Sequence, residues 1–189
     1  RLTYYIDRDL AEFRGTLVQL EDKDRNVLRT EHLDYNTKDS VAVFFNGGSM
    51  KDAEGQIIES RTGTYDSKIR TFTFNDRVNM FTDSVFVKST TIVYDARTNV
   101  ATFGFDTDTW QDDNMLSANG GWYDRGREIF LFRNNSYVLD ADCRQNVANR
   151  LVSGTVQRRV NDFQTAFCTQ FRIQALLQNV LIISINDRL

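Results

Sequence analysis

Four aspartates, Asp106, Asp108, Asp112 and Asp113, crowd one stretch around Trp110. Carboxylates at that density are the first feature here that could do chemistry, as oxygen ligands for calcium. The spacing argues against it. An EF-hand loop needs glycine at its sixth position and glutamate at its twelfth, where this stretch has Gln111 and Ser117. A solvated loop whose like charges keep a sheet end unpaired accounts for the same residues. Nucleophilic catalysis lacks its parts too: the single histidine, His32, follows Glu31 in a stretch that reads as strand, and no G-x-S-x-G occurs. His32 therefore reads as a surface or turn residue, and the chain as non-enzymatic. One histidine and two cysteines without C-x-x-C are too few for a zinc site of the usual ligands, so no metal or cofactor is expected. Gly47-Gly48, Gly104 and Gly120-Gly121 read as turns or bulges rather than a phosphate cradle, since none lies between a strand and a helix.

What remains is an apolar chemistry, and it is periodic. Tyr4, Tyr35, Tyr65, Tyr94 and Tyr123 recur every 29 to 31 residues, and nine residues after each stands a phenylalanine: Phe13, Phe44, Phe74, Phe103 and Phe132. Seven residues after each tyrosine come Ala11, Ala42, Phe72, Ala101 and Phe130. These columns predict an apolar interior. Stacked rings suit an ordinary core, each contributing about 1.5–3 kcal/mol of burial, and equally a lining for a bound apolar chain.

The elements that must position the rings follow from the same period. A fixed offset inside a fixed period means one supersecondary unit copied and stacked. Downstream of each tyrosine the alternation has period two, as in Phe72-Thr73-Phe74 and Phe130-Leu131-Phe132, which is a strand signature and puts both columns on one face. Asn36, Asp66, Asp95 and Asp124, directly after the tyrosine, predict Asx-type turns. Polar patches at 21–26, 51–55, 82–84 and 106–114 mark the return bends, giving about two strands per unit. Tyr4 and Tyr5 compete for the register of the first unit.

Composition agrees. The chain has 189 residues, 14 of them phenylalanine, and no proline, which suits a protein that is mostly ladder with short turns. A net charge of -3 with interspersed signs leaves no electrostatic footprint for nucleic acid. No apolar run is long enough for a spanning helix. The chain begins at Arg1 without a charged-then-apolar leader, which fits a mature chain whose export signal has been removed. Residues 1–140 are expected to form the repeat domain of about five units, and 141–189 a C-terminal extension. There Phe163, Phe167, Phe171 and Leu177, after Asn161 or Asp162, predict a helix within 161–179, and 180–185 reads as a final strand. Cys143 and Cys168 lie in this extension, and their spacing does not decide whether they pair.

The repeat resembles that of the OstA-like proteins, the LptA-type periplasmic lipopolysaccharide-transport family. The residues that carry the likeness are Ile92-Val93-Tyr94-Asp95-Ala96-Arg97 with Ala101-Thr102-Phe103-Gly104, and Gly63-Thr64-Tyr65-Asp66-Ser67-Lys68 with Phe72-Thr73-Phe74-Asn75. Residues 35–47 and 121–134 give further copies; the extension does not fit the pattern. The resemblance implies an all-β fold, an elongated twisted β-jellyroll with an apolar interior. It implies a periplasmic, non-catalytic function, carriage of lipopolysaccharide or another acylated lipid, with Phe13, Phe44, Phe72, Phe74, Phe103, Phe130 and Phe132 lining the lipid path. Its implied partners are other jellyroll proteins of a transport bridge, or further copies of the chain, joined by stacking of edge strands. The alternative from the residues alone is a structural or glycan-binding β-repeat protein with a closed aromatic core, in which Trp110 and Trp122 would be the residues for sugar stacking.

Overall fold

Each repeat tyrosine lies across a hairpin from the residue seven positions later. In the computed structural model Tyr4 pairs with Ala11, Tyr35 with Ala42, Tyr65 with Phe72, Tyr94 with Ala101 and Tyr123 with Phe130. The phenylalanine two residues on pairs with the residue two before the tyrosine: Leu2 with Phe13, Leu33 with Phe44, Gly63 with Phe74, Ile92 with Phe103 and Gly121 with Phe132. The shared register makes Tyr4, rather than Tyr5, the tyrosine of the first unit. Side-chain carbonyl or carboxylate oxygens of Asn36, Asp66, Asp95 and Asp124 accept backbone N–H groups two or three residues ahead, which closes these turns as Asx turns.

The structure describes residues 1–111, 114–127, 129–133, 136–139, 172–176 and 180–184. They form β1 (Leu2–Tyr5), a short 3-10 turn (Ile6–Arg8), β2 (Leu10–Glu21), β3 (Val27–Asn36), β4 (Val41–Phe44), β5 (Gly48–Lys51) and β6 (Ile57–Ser60). Next come β7 (Thr62–Asp66), β8 (Thr71–Phe81), β9 (Phe86–Asp95), β10 (Val100–Phe103), β11 (Thr107–Gln111) and β12 (Asn114–Ala118). The last are β13 (Gly121–Asp124), β14 (Ile129–Arg133), β15 (Tyr137–Leu139), β16 (Arg172–Leu176) and β17 (Val180–Ser184). All pairings among them are antiparallel.

The long strands β2, β3, β8 and β9 each serve two ladders, one at either end. The first ladder runs β1, start of β2, end of β3, β4, β7, start of β8, end of β9, β10, β13, β14, β17 and β16. The second runs end of β2, start of β3, β5, β6, end of β8, start of β9, β11, β12 and β15. Between the ladders the chain bends, with register shifts between Arg14 and Val18 and between Asn75 and Val78. Buried hydroxyls satisfy carbonyls freed at the bend: Thr30 donates to the Gly47 carbonyl at 2.7 Å, Ser60 to Thr62 at 2.8 Å, Ser89 to Thr91 at 3.0 Å and Thr107 to Gly104 at 2.9 Å. One sheet thus folds over on itself, and its two inner faces share one apolar core. The fold is the all-β stack that the repeats predict, jellyroll in plan as the family resemblance implies.

The extension differs from expectation. Arg172–Leu176, inside the stretch whose spacing predicts a helix, is strand β16, paired with β17, which is the strand expected at 180–185. β17 in turn pairs with β14. Laid along the edge of β14, β17 offers its own row of unpaired N–H and C=O groups, and satisfying them outweighs helical spacing in Arg172–Leu176. The rest of the expected helix, with Cys143 and Cys168, lies outside the described residues.

Candidate functional site

The interior has two unlike walls. On the first ladder, the row nearer the turns holds Tyr35, Ala42, Tyr65, Phe72, Tyr94, Ala101, Tyr123 and Phe130, each opposite the next. The row nearer the bend holds Phe13, Leu33, Phe44, Gly63, Phe74, Ile92, Phe103, Gly121 and Phe132. On the second ladder the row nearer the turns is aliphatic, with Leu20, Leu28, Met50, Ile58, Met80 and Val87 running on to Thr109 and Leu116. An aromatic wall therefore faces an aliphatic one.

Filling differs along the stack. Phe44, Phe72 and Phe74 have 0% exposure and Phe132 1%. Tyr65 stacks on Phe72 with centroids 4.1 Å apart, and Phe72 lies 6.1 Å from Phe74, which meets Phe44 at 6.0 Å. A second group joins Tyr123 to Phe130 at 4.1 Å, and Phe130 to Phe132 and Phe103 at 5.7 and 6.1 Å. Phe44 is seated against glycines: a Cβ on Gly48 or Gly63 would come within 2.5 Å of its ring. At the N-terminal end the interior opens instead. Half-buried Phe13, Val18, Leu20 and Tyr35, with Leu33 and Tyr65, line a cavity of about 520 Å³ whose rim carries Asp22, Lys23 and Arg70. A volume of that order is typical of a small-molecule site.

Opposite the bend, turns of the two ladders meet along a seam. Two second-ladder turns are built alike. Asp22 Oδ1 accepts from the backbone N–H groups of Asp24 and Asn26 at 2.8 and 2.9 Å, and Asp52 Oδ1 from those of Glu54 and Gln56 at 3.0 and 2.8 Å. Each turn grips an arginine of the first ladder. Arg70 Nε donates to Asp24 Oδ2 at 2.6 Å, and the Tyr65 hydroxyl donates to Asp22 Oδ2 at 3.3 Å. Arg125 donates to Asp52 Oδ2 at 2.7 Å, to the Glu54 carbonyl at 3.1 Å, and through Nε to the Glu54 carboxylate at 2.7 Å. A polar cavity of about 390 Å³ lies between the grips, lined by Lys23, Arg25, Asp52, Glu54, Arg70, Tyr94 and Arg97 among others. Burial pushes the Asp52 carboxyl above its ordinary value, against the opposing pull of Arg125. Burial, then the nearby charge of Asp22, raises the Tyr65 phenol; burial, then Asp52, raises that of Tyr94.

All seven phenylalanines singled out in the sequence lie on the inner face of the first ladder, six fully packed and Phe13 at the open end. Of the tryptophans, Trp110 stacks on Phe86 at 5.3 Å, with Lys88 5.4 Å over its ring, and Trp122 is half-buried on β13. His32 stacks on Phe45 at 5.6 Å, and Asn46 donates its amide to His32 Nδ1 at 3.1 Å. Asp108 accepts from the Ser117 hydroxyl at 2.6 Å, while Asp112 and Asp113 lie outside the described residues. The seam was not foreseen. Its signal was present, since Asp22-x-Asp24-x-Asn26 and Asp52-x-Glu54-x-Gln56 stand thirty residues apart.

Residues 1–90 match the family model described as OstA-like protein. The resemblance read from the repeats is borne out over that stretch. No curated protein matches the chain. Among solved structures it is similar to LptH of Pseudomonas aeruginosa, described as the LptA homologous periplasmic component of the conserved lipopolysaccharide transport device. The identity is 14% and the TM-score 0.45, over 72% of this chain and 90% of that one.

Proposed function

We propose that this chain, an OstA-like protein over its first 90 residues, is a non-catalytic lipid-binding protein of the periplasm that carries lipopolysaccharide or another acylated lipid. The observation that carries this reading is the apolar interior, closed by two facing walls and opening at the N-terminal end into the cavity around Phe13. Each acyl CH₂ moved from water into such an interior gains about 0.8 kcal/mol, so a long apolar lining suits a saturated chain better than a compact polar pocket. Phe13 is the first ring such a chain meets. Phe44, Phe72, Phe74, Phe103, Phe130 and Phe132 line the path beyond it. The ends of the stack supply the partner surface, because Val18–Glu21 of β2 is paired to β3 on one side and no described strand covers its other side. A strand of another jellyroll, or of a second copy, fits there.

The test is to purify the protein from a lipopolysaccharide-making host, extract it for mass spectrometry, and measure protection of a fluorescent acyl probe. Co-purifying acylated lipid and a protected probe are expected. Absence of both overturns carriage. The complete burial of Phe44, Phe72 and Phe74 favours a second reading, a structural β-repeat with a closed aromatic core, and that reading predicts neither result.

A further inference from the structure

The middle of the interior is filled, so a chain longer than the end cavity must part the two walls. It cannot part them at the bend, where β2, β3, β8 and β9 pass from one ladder to the other as continuous strands. At the seam the walls are joined by side chains. The clasps at Arg70 and Arg125 join residues 46 and 73 positions apart in the chain.

We propose that these two clasps form a latch, and that release of Arg70 and Arg125 opens the seam so that acyl chains enter the interior sideways. This regulation rests on the lipid-binding reading above. Three features favour a closure that is balanced rather than locked. Asp52 is buried to 7% exposure, and its desolvation works against the bonds from Arg125. Behind that clasp the Gln56 side chain is 1% exposed, and among the described residues neither of its amide atoms has a hydrogen-bond partner, a cost that opening relieves. Arg70 holds a left-handed backbone with φ 56°. Five residues after the tyrosine, the first, second and fourth units carry Asp9, Ser40 and Asn99, short polar residues at positive φ, and the fifth carries Glu128. An arginine there is bulkier than the residues of those three units and carries backbone strain, and what it adds is a guanidinium that reaches Asp24. Met50 and Met80, facing the aromatic wall, are the adaptable side chains that can repack around an entering chain.

The experiment measures uptake and release of a dansyl-labelled undecanoic acid by stopped flow on the full chain. Arg70→Asn keeps a residue that the left-handed position accepts, as Asn99 does, and removes the cation. Both rates are expected to rise about tenfold, the worth of one partly buried charge pair, with the dissociation constant nearly unchanged. The charge swap Asp24→Arg with Arg70→Asp restores a pair of opposite order, and Asp9 shows that aspartate fits the position. It should restore the slow rates, which a merely structural role for Arg70 would not produce. Unchanged rates in Arg70→Asn, or no recovery in the swap, overturn the latch. If the variant does not fold, Asp24→Asn, which removes the other charge of the same pair, must speed uptake likewise, and unchanged rates overturn the proposal. If the unaltered chain binds no probe, the lipid reading fails by itself. Hydrogen exchange then decides the latch: the amides of Asn26 and Gln56 exchange faster in Arg70→Asn if it exists and equally if it does not.

Discussion

At the N-terminal end of the stack Leu2 and Tyr4 are 62% and 48% exposed and Phe13 is half-buried, whereas one and two units on Phe44, Phe72 and Phe74 have no accessible surface. Both regions obey one register, tyrosine opposite the seventh residue and phenylalanine opposite the residue two before the tyrosine. The difference lies in what covers them. The first unit has a described neighbour on one side only, so the space beside it stays open, whereas Ala42 and Ala101, equivalent to Ala11, are covered on both sides and buried. Repetition fixes where rings point, while the number of neighbours decides whether the interior is core or cavity.

The strongest way to break this comparison is to remove one ring from each region. Phe74→Ala should cost about 3–5 kcal/mol, since its contacts cannot re-form around the hole. Phe13→Ala, whose ring is already half in solvent, should cost about 1 kcal/mol, less than full burial of such a side chain, and should weaken binding of an acyl probe instead. Urea denaturation with matched slopes gives both numbers. Equal losses would mean that the open end is as tightly packed as the middle.

Next in size is the seam. Arg125→Ala strips Asp52, 7% exposed, of its cation, and breaking a buried pair by removing one partner costs about 3 kcal/mol or more. Asp95→Asn breaks the solvent-screened pair with Arg97 and should cost far less. A thermal or urea series that ranked the two the other way round would refute the distinction between seam and surface.

The glycines sharpen the same contrast at smaller amplitude. A Cβ at Gly63, in the middle, would stand 2.4 Å from the Thr73 carbonyl oxygen and 2.5 Å from the Phe44 ring, so Gly63→Ala should destabilise by about 1–3 kcal/mol through overpacking. At Gly15, near the open end, the nearest atoms are 3.9 and 4.0 Å away, so Gly15→Ala should be neutral or stabilising by about 0.5 kcal/mol through the unfolded chain.

These contrasts also mark how far the sequence could be read. The tyrosine–phenylalanine offset was legible because antiparallel pairing across a turn of fixed length leaves one register, and all five units keep it. The turn chemistry of Asn36, Asp66, Asp95 and Asp124 was legible because it is local. The folding of one sheet into two facing ladders was not, since the bend is made by bulges and by hydroxyls such as Thr30 and Ser89, which read as ordinary strand residues. The seam was hidden for a related reason. Arg70 and Asp24 meet only once both ladders are in place, so the motif repeated at Asp22 and Asp52 marks the turns but not the arginines that they grip. The strand at Arg172–Leu176 was masked by helical spacing around it, because its hairpin with β17 is laid against the distant edge of β14, which nothing local announces.

The smallest effect is a dependence on acidity, and its sign differs between the buried clasp and the surface pair. Burial holds the folded-state Asp52 carboxyl above 3.8, so between neutral pH and 3.8 the folded chain binds a proton before the unfolded chain does, and this residue adds stability as pH falls through that window. The Arg97 guanidinium holds Asp95 below 3.8, so its contribution is present above that value and is lost as pH falls through the lower folded value. Stability of the unaltered chain relative to Asp52→Asn should therefore grow on acidification from about pH 7 toward 3.8. Relative to Asp95→Asn it should hold level there and shrink below 3.8. Urea midpoints taken at steps of pH measure both differences. A shrinking difference against Asp52→Asn above 3.8 would mean that the attraction of Arg125 outweighs burial. The seam would then be a stabilising pair whose opening costs more than a balanced latch permits.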